Sequence, residues 1–142
     1  MYNDDPDWRY FMKRILITIA LLGAATGAVA DEFTVGFNWE GLKLCTSGRP
    51  NTVGNPVFQL NDVPDGTKWL YFELTDFDAL GYNHGGGWIE YDGAEMTQAD
   101  VFRYKSPCPP NGTHTYEWSV TAAPTQSLSN PLGVAASTLS YP

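Results

Sequence analysis

Asp76 and Asp78 stand two residues apart where an apolar run ends, at the head of the segment DFDALGYNHGGGWIEY that runs from Asp76 to Tyr91 and also holds His84. On a strand, two carboxylates at that spacing face the same way, and close carboxylates resist ionising together, so one of them is expected to hold a proton near neutral pH. The chain's other histidine, His114, opens the run HTYEWSV, which also carries Tyr116. Carboxylates and imidazoles in one place can donate and accept hydrogen bonds, move protons or ligate a cation. Gly85, Gly86 and Gly87 would let backbone N–H groups approach a ligand, and the SPCPP segment, Ser106 to Pro110, forms a stiff wall. The same residues also read as solvated turn acids beside a flexible glycine hairpin.

Catalysis finds little support. HGGG is the composition of some esterase oxyanion loops, but the chain has no G-x-S-x-G nucleophile elbow. Its cysteines form no C-x-x-C pair, and the Asp and His spacing matches no metal signature. The chain is therefore read as non-catalytic, without metal or cofactor; an Asp/His hydrolase or a metal site is the alternative.

The elements that must position these residues are strands. Phe33, Val35, Phe37 and Trp39 alternate with other residues, as do Leu70, Phe72 and Leu74, and Tyr116, Trp118, Val120 and Ala122. Turn signals separate the runs: SGRPN from Ser47 to Asn51, VPDGT from Val63 to Thr67, and PPNGT from Pro109 to Thr113. One short helix is predicted from Thr97 to Phe102, with Thr97 as cap and Asp100 answering it. VAASTLSYP, near the end, is expected to supply a last strand that closes a sheet edge. Short strands at close spacing predict a mostly β, antiparallel sandwich formed by residues 31–142 as a single domain.

Charge and leader place the protein. The formal net charge of -8 argues against nucleic acid and against adsorption on anionic lipid. Lys13 and Arg14, an apolar run from Ile15 to Leu22, and AVA at Ala28 to Ala30 read as an export signal cleaved before Asp31, leaving no stable membrane span. The acidic, aromatic stretch before Met12 does not fit a signal, so residues 1–30 are an unusual N-terminal extension plus signal, or the chain starts at Met12. A periplasmic or extracellular location follows. In that setting Cys45 and Cys108 read as a disulfide, with two separately buried thiols as the alternative. Asn111-Gly112-Thr113 is a glycosylation sequon if the host modifies secreted proteins.

Taken together, NPVFQLNDVPDGTKWLYFELTDFDA, YNHGGG and YKSPCPPNGTHTYEWSV occur in an order that resembles the phosphatidylethanolamine-binding protein family, in particular its small exported bacterial branch, labelled Raf kinase inhibitor-like. The resemblance covers most of Phe33 to Ala122. It implies a β-sandwich with a small anion pocket for phosphate-bearing or phospholipid head groups. The family's D-P-D-x-P loop falls on Asp76 to Leu80, its pocket histidine on His84, its G-P-C-P-P segment on Ser106 to Pro110, and its H-R-Y on His114 to Tyr116. Asp76, Asp78, His84, Cys108, Pro109, His114 and Tyr116 are thereby implied as ligand-binding residues. This chain departs from the pattern at Phe77, Leu80, Ser106 and Thr115. A proton-holding Asp would donate to a phosphate oxygen, and an ionised one would receive an ammonium. The alternative function implied is an inhibitor or interaction protein acting on a hydrolase or another protein partner.

Overall fold

The computed structural model describes residues 31–45 and 49–142. The export signal, the N-terminal extension and part of the Ser47 to Asn51 turn lie outside the described residues.

Period-two burial decides the central strands. In β4 (Trp69–Asp76) the side chains of Leu70, Phe72, Leu74 and Asp76 are buried while those between them are half-buried or exposed. β7 (His114–Ala123) buries Tyr116, Trp118, Val120 and Ala122 in the same phase. The two strands pair antiparallel, placing Phe72 opposite Val120, Leu74 opposite Trp118 and Asp76 opposite Tyr116. β5 (Gly86–Glu90) flanks β4 and β8 (Gly133–Tyr141) flanks β7, giving a four-stranded antiparallel sheet in the order β5-β4-β7-β8. The VAASTLSYP run thus closes one side of β7, as its composition indicated.

The opposing layer consists of two antiparallel ribbons. β1 (Thr34–Gly36) pairs with β3 (Gln59–Asn61), and β2 (Thr52–Gly54) pairs with β6 (Arg103–Lys105). Val35, Leu60 and Tyr104 from these ribbons join Phe58 and the inner face of the large sheet in one apolar cluster. Phe58 stacks on Phe72 with centroids 4.3 Å apart, and Trp118 receives Phe58 and Tyr104 edge-on at 5.1 and 4.9 Å. Each such fully buried side chain contributes about 1.5–3 kcal/mol, so the two layers are held mainly by this aromatic contact. The antiparallel sandwich expected from the alternation is the observed fold.

The predicted helix at Thr97 to Phe102 does not form, and the described residues contain none. Thr97 caps no helix: its hydroxyl accepts from the Phe58 amide at 3.0 Å, and its own amide donates to the Phe58 carbonyl. Asn55, only 2% exposed, takes over the segment's backbone. Its Oδ1 accepts from Val101 and Phe102, its Nδ2 donates to Gln98, and its carbonyl accepts from Asp100. Asp100 is held at a positive φ of 60°, which no helix interior allows. A side chain distant in sequence therefore outcompeted the local capping signal.

Candidate functional site

The site forms where β4 and β7 reach the same end of the sandwich. Asp76 is the last residue of β4 and His114 the first of β7, and each continues the inward phase of its strand beyond the apolar positions. After Asp76 the chain turns at once: the Asp78 amide donates to Asp76 Oδ1 at 2.9 Å and the Ala79 amide to the Asp76 carbonyl. This Asx-type turn aims the other carboxylate oxygen, Oδ2, at His114, whose Nδ1 lies 2.8 Å away. His84 Nε2 stands 3.9 Å from the same oxygen.

Each histidine is held by its neighbours. His84 is buried, and its Nδ1 donates to the Lys105 carbonyl at 2.7 Å, while the Lys105 amide returns a bond to the His84 carbonyl at 2.8 Å. In its neutral form Nε2 is then the acceptor of the ring. Tyr116 lies between the two imidazoles, edge-on to His84 at 5.5 Å and near-parallel to His114 at 6.2 Å. Its hydroxyl is buried close to the Asp76 carboxylate and the Cys108 backbone, yet it makes no hydrogen bond of good geometry within the protein.

The electrostatics follow from this packing. Burial works to raise the Asp76 pKa, but the bond from His114, the Asp78 amide and the imidazole charge outweigh it and hold the carboxyl below its ordinary value. Asp76 is therefore ionised at neutral pH, which corrects the expectation of a shared carboxyl proton. Burial pushes His84 below its ordinary value, against the bond to Lys105 and the attraction of Asp76, so the ring is neutral at pH 7. Burial, with the Asp76 charge adding, pushes the Tyr116 hydroxyl well up, so it stays a donor.

These groups wall a pocket of about 260 Å³ lined by Asp76, His84, His114 and Tyr116 together with Pro50, Ala79, Tyr82, Cys108 and Pro110. The Cys45–Cys108 disulfide, with Cα atoms 5.6 Å apart, ties the proline-rich wall to the segment ahead of β2. Ser106 anchors the wall's other end: its amide donates to the Asn51 carbonyl at 2.8 Å, and its hydroxyl accepts from the Asn51 amide.

No protein-family model matches the sequence, and no curated protein matches it. Among solved structures the chain is similar to E. coli YbcL, a protein described as a new member of the mammalian phosphatidylethanolamine-binding protein family. The likeness has a TM-score of 0.57 at 17% identity and covers 78% of this chain and 98% of that one. The chain has the phosphatidylethanolamine-binding protein fold. A putative phosphatidylethanolamine-binding protein homolog from Chlamydia trachomatis, CT736, is similar at a TM-score of 0.55 and 15% identity, covering 78% of this chain and 97% of its own.

Within the phosphatidylethanolamine-binding protein fold, the implied residues separate into two groups. Asp76, His84, Cys108, His114 and Tyr116 line the pocket; Asp78 and Pro109 do not. Asp78 is exposed and spends Oδ2 on the Thr115 amide at 2.7 Å, so it braces the turn against β7. Pro110 takes the place expected of Pro109. Tyr82, missed in the sequence, packs edge-on to His84 at 4.7 Å, and Pro50 comes from a segment with no chemical signal at all.

Gly86 and Gly87 serve packing. A Cβ on Gly86 would collide with the Phe72 carbonyl, and one on Gly87 with the Phe102 ring; both residues belong to β5. Asp76, Asp78 and His114 each bring one ligating atom within 4.8 Å of the others. A cation there would have to displace the proton through which His114 Nδ1 holds Asp76, and the amide that Asp78 already accepts.

Proposed function

We propose that the protein is an exported, non-catalytic binding protein whose pocket takes the phosphate of a small ligand or of a phospholipid head group. The observation that carries the reading is the convergence of Asp76, His84, His114 and Tyr116, brought from three separate stretches of the chain, on one small pocket at the end of the sandwich. Hydrogen bonds from protein groups to a charged phosphate oxygen are worth roughly 1.5–3 kcal/mol each, and a pocket that gathers such groups can supply them. With Nδ1 committed to Asp76, His114 has its other ring nitrogen, Nε2, left for a ligand. Asp76, already compensated by His114 and the Asp78 amide, orients that imidazole. Neutral His84 supplies an acceptor for the proton of a monoprotonated phosphate or for an ammonium. YbcL and CT736 are named for the phosphatidylethanolamine-binding proteins, which agrees with a ligand of this class.

Calorimetric titration of inorganic phosphate and phosphoethanolamine into wild type and His114→Ala tests the reading. Saturable binding to wild type, weakened about tenfold or more in the variant, is expected. Absence of binding by either compound to wild type would overturn it. Export rests on the Lys13 to Ala30 segment, and N-terminal sequencing of protein from the outer compartment should begin at Asp31.

A further inference from the structure

Against the acidic balance of the chain, one short strand presents the opposite charge. Arg103 and Lys105, two of the sequence's eight Lys and Arg residues, flank the buried Tyr104 on β6 and are both exposed. At that spacing they face the same way, and both line an open cavity of about 340 Å³ with Asn83, His84 and Gly85. Among the described residues no carboxylate lies within ion-pair distance of either one. Neither charge is therefore neutralised by an ion pair among those residues.

This groove and the pocket share one lining residue. His84 lines both cavities, and the paired bonds between His84 and Lys105 fix the groove to the ring that faces Asp76. Lys105 also leans back toward the pocket: its Nζ stands 5.2 Å from the centroid of Tyr82, which lines the pocket on the other side of His84. Arg103 is partly fixed by a bond from Nη2 to the Thr52 carbonyl at 3.1 Å, which holds its guanidinium at the groove's edge. A pre-ordered guanidinium and a nearby ammonium are a suitable pair for a phosphate group.

We propose that the groove is a second anion subsite, so that the ligand carries two phosphate groups, one in the pocket beside Tyr116 and His114 and one on Arg103 and Lys105. The assignment rests on the pocket being an anion site. It selects for a diphosphate or bisphosphate, whether free in solution or displayed by a lipid, over an isolated phosphate.

The test is calorimetric titration of orthophosphate, pyrophosphate and tripolyphosphate into wild type, His114→Ala and the double variant Arg103→Ala/Lys105→Ala. Both cations are exposed and outside the core, so the double variant should fold. Wild type should bind a condensed phosphate about tenfold or more tightly than orthophosphate, with a steeper loss as salt rises. The double variant should keep its orthophosphate affinity and lose that advantage. Equal affinity of wild type for all three probes, or an advantage that survives in the double variant, overturns the subsite. If wild type binds orthophosphate in a His114-dependent way with no gain from condensation, the pocket stands and the groove falls. If the condensed phosphates bind only through Arg103 and Lys105 and orthophosphate does not bind at all, the groove stands and the pocket reading fails. Sedimentation with phosphatidylcholine vesicles, with and without cardiolipin, then separates the sources. Cardiolipin-dependent binding lost in the double variant assigns a lipid, whereas binding confined to the soluble probes assigns a free ligand.

Discussion

His114 Nδ1 lies 2.8 Å from Asp76 Oδ2, across two neighbouring strands that both deliver their terminal residue to the inner face of the sheet. The pair is thus an extension of the core as well as part of a site. Asp76 is 3% exposed, and its charge is matched by a hydrogen-bonded imidazole where the apolar cluster ends.

Removing one partner should therefore cost stability as well as affinity. His114→Ala leaves a buried carboxylate with fewer donors and is expected to destabilise by roughly 1–3 kcal/mol. Asp76→Asn, which keeps shape and removes charge, should cost less. Urea unfolding of both variants checks the order; a His114→Ala protein as stable as wild type would show that the pair is not part of the fold's framework.

Tyr116→Phe separates binding from stability. The hydroxyl makes no hydrogen bond of good geometry within the protein, so its loss should leave the midpoint of unfolding nearly unchanged, while phosphate affinity falls about tenfold. Parallel thermal melts and calorimetry read the two effects. A variant that loses stability and retains affinity would contradict the role given to Tyr116.

Stability should fall on both sides of a broad plateau. His84 and Asp76 have folded pKa values below their ordinary 6.5 and 3.8, so the unfolded chain binds more protons in acid. The stability they contribute is complete above those values; the His84 share is lost as pH drops below about 6.5 and the Asp76 share below about 4. Tyr104, pushed by burial up to about 12, and Tyr116, pushed higher still, act in the other direction. The unfolded chain releases their protons first, and stability declines as pH rises through about 10. Denaturant midpoints measured across this range should trace the plateau, and His84→Gln should remove the decline that starts near pH 6.5.

Reducing the Cys45–Cys108 bond should lower stability by roughly 2–4 kcal/mol, since it closes a long loop with a sequence separation of 63. It should also loosen the wall formed by Cys108 and Pro110 and weaken phosphate binding. Melting curves and titrations with and without reductant measure both, and unchanged affinity after reduction would show that the proline wall is rigid without the bond.

Much of the fold was legible in the sequence because period-two alternation over Leu70 to Leu74 and Tyr116 to Ala122 is set by burial on one sheet face, and burial leaves its mark residue by residue. Carrying that phase two residues further in each strand reaches Asp76 and His114, so the inward direction of both was already encoded. Asp78 has the same parity as Asp76, yet the chain turns between them and parity loses its meaning. Asn55 was invisible because nothing around it marks a residue that fixes a loop more than forty positions away. Tyr82, Pro50 and the Arg103/Lys105 groove depend on which loops meet, and such meetings leave no local pattern.

The sheet order β5-β4-β7-β8 has a consequence for how the molecule comes into being. β7 carries His114 and Tyr116 but takes partners on both sides, one from β4 and one from β8, the last of the described strands. Until β8 has docked, β7 is an open edge and its site residues sit on a ribbon free to shift register. The recognition surface is accordingly complete only once β8 holds β7 in place. A chain delivered unfolded to another compartment would thus reach its destination before it could hold a ligand.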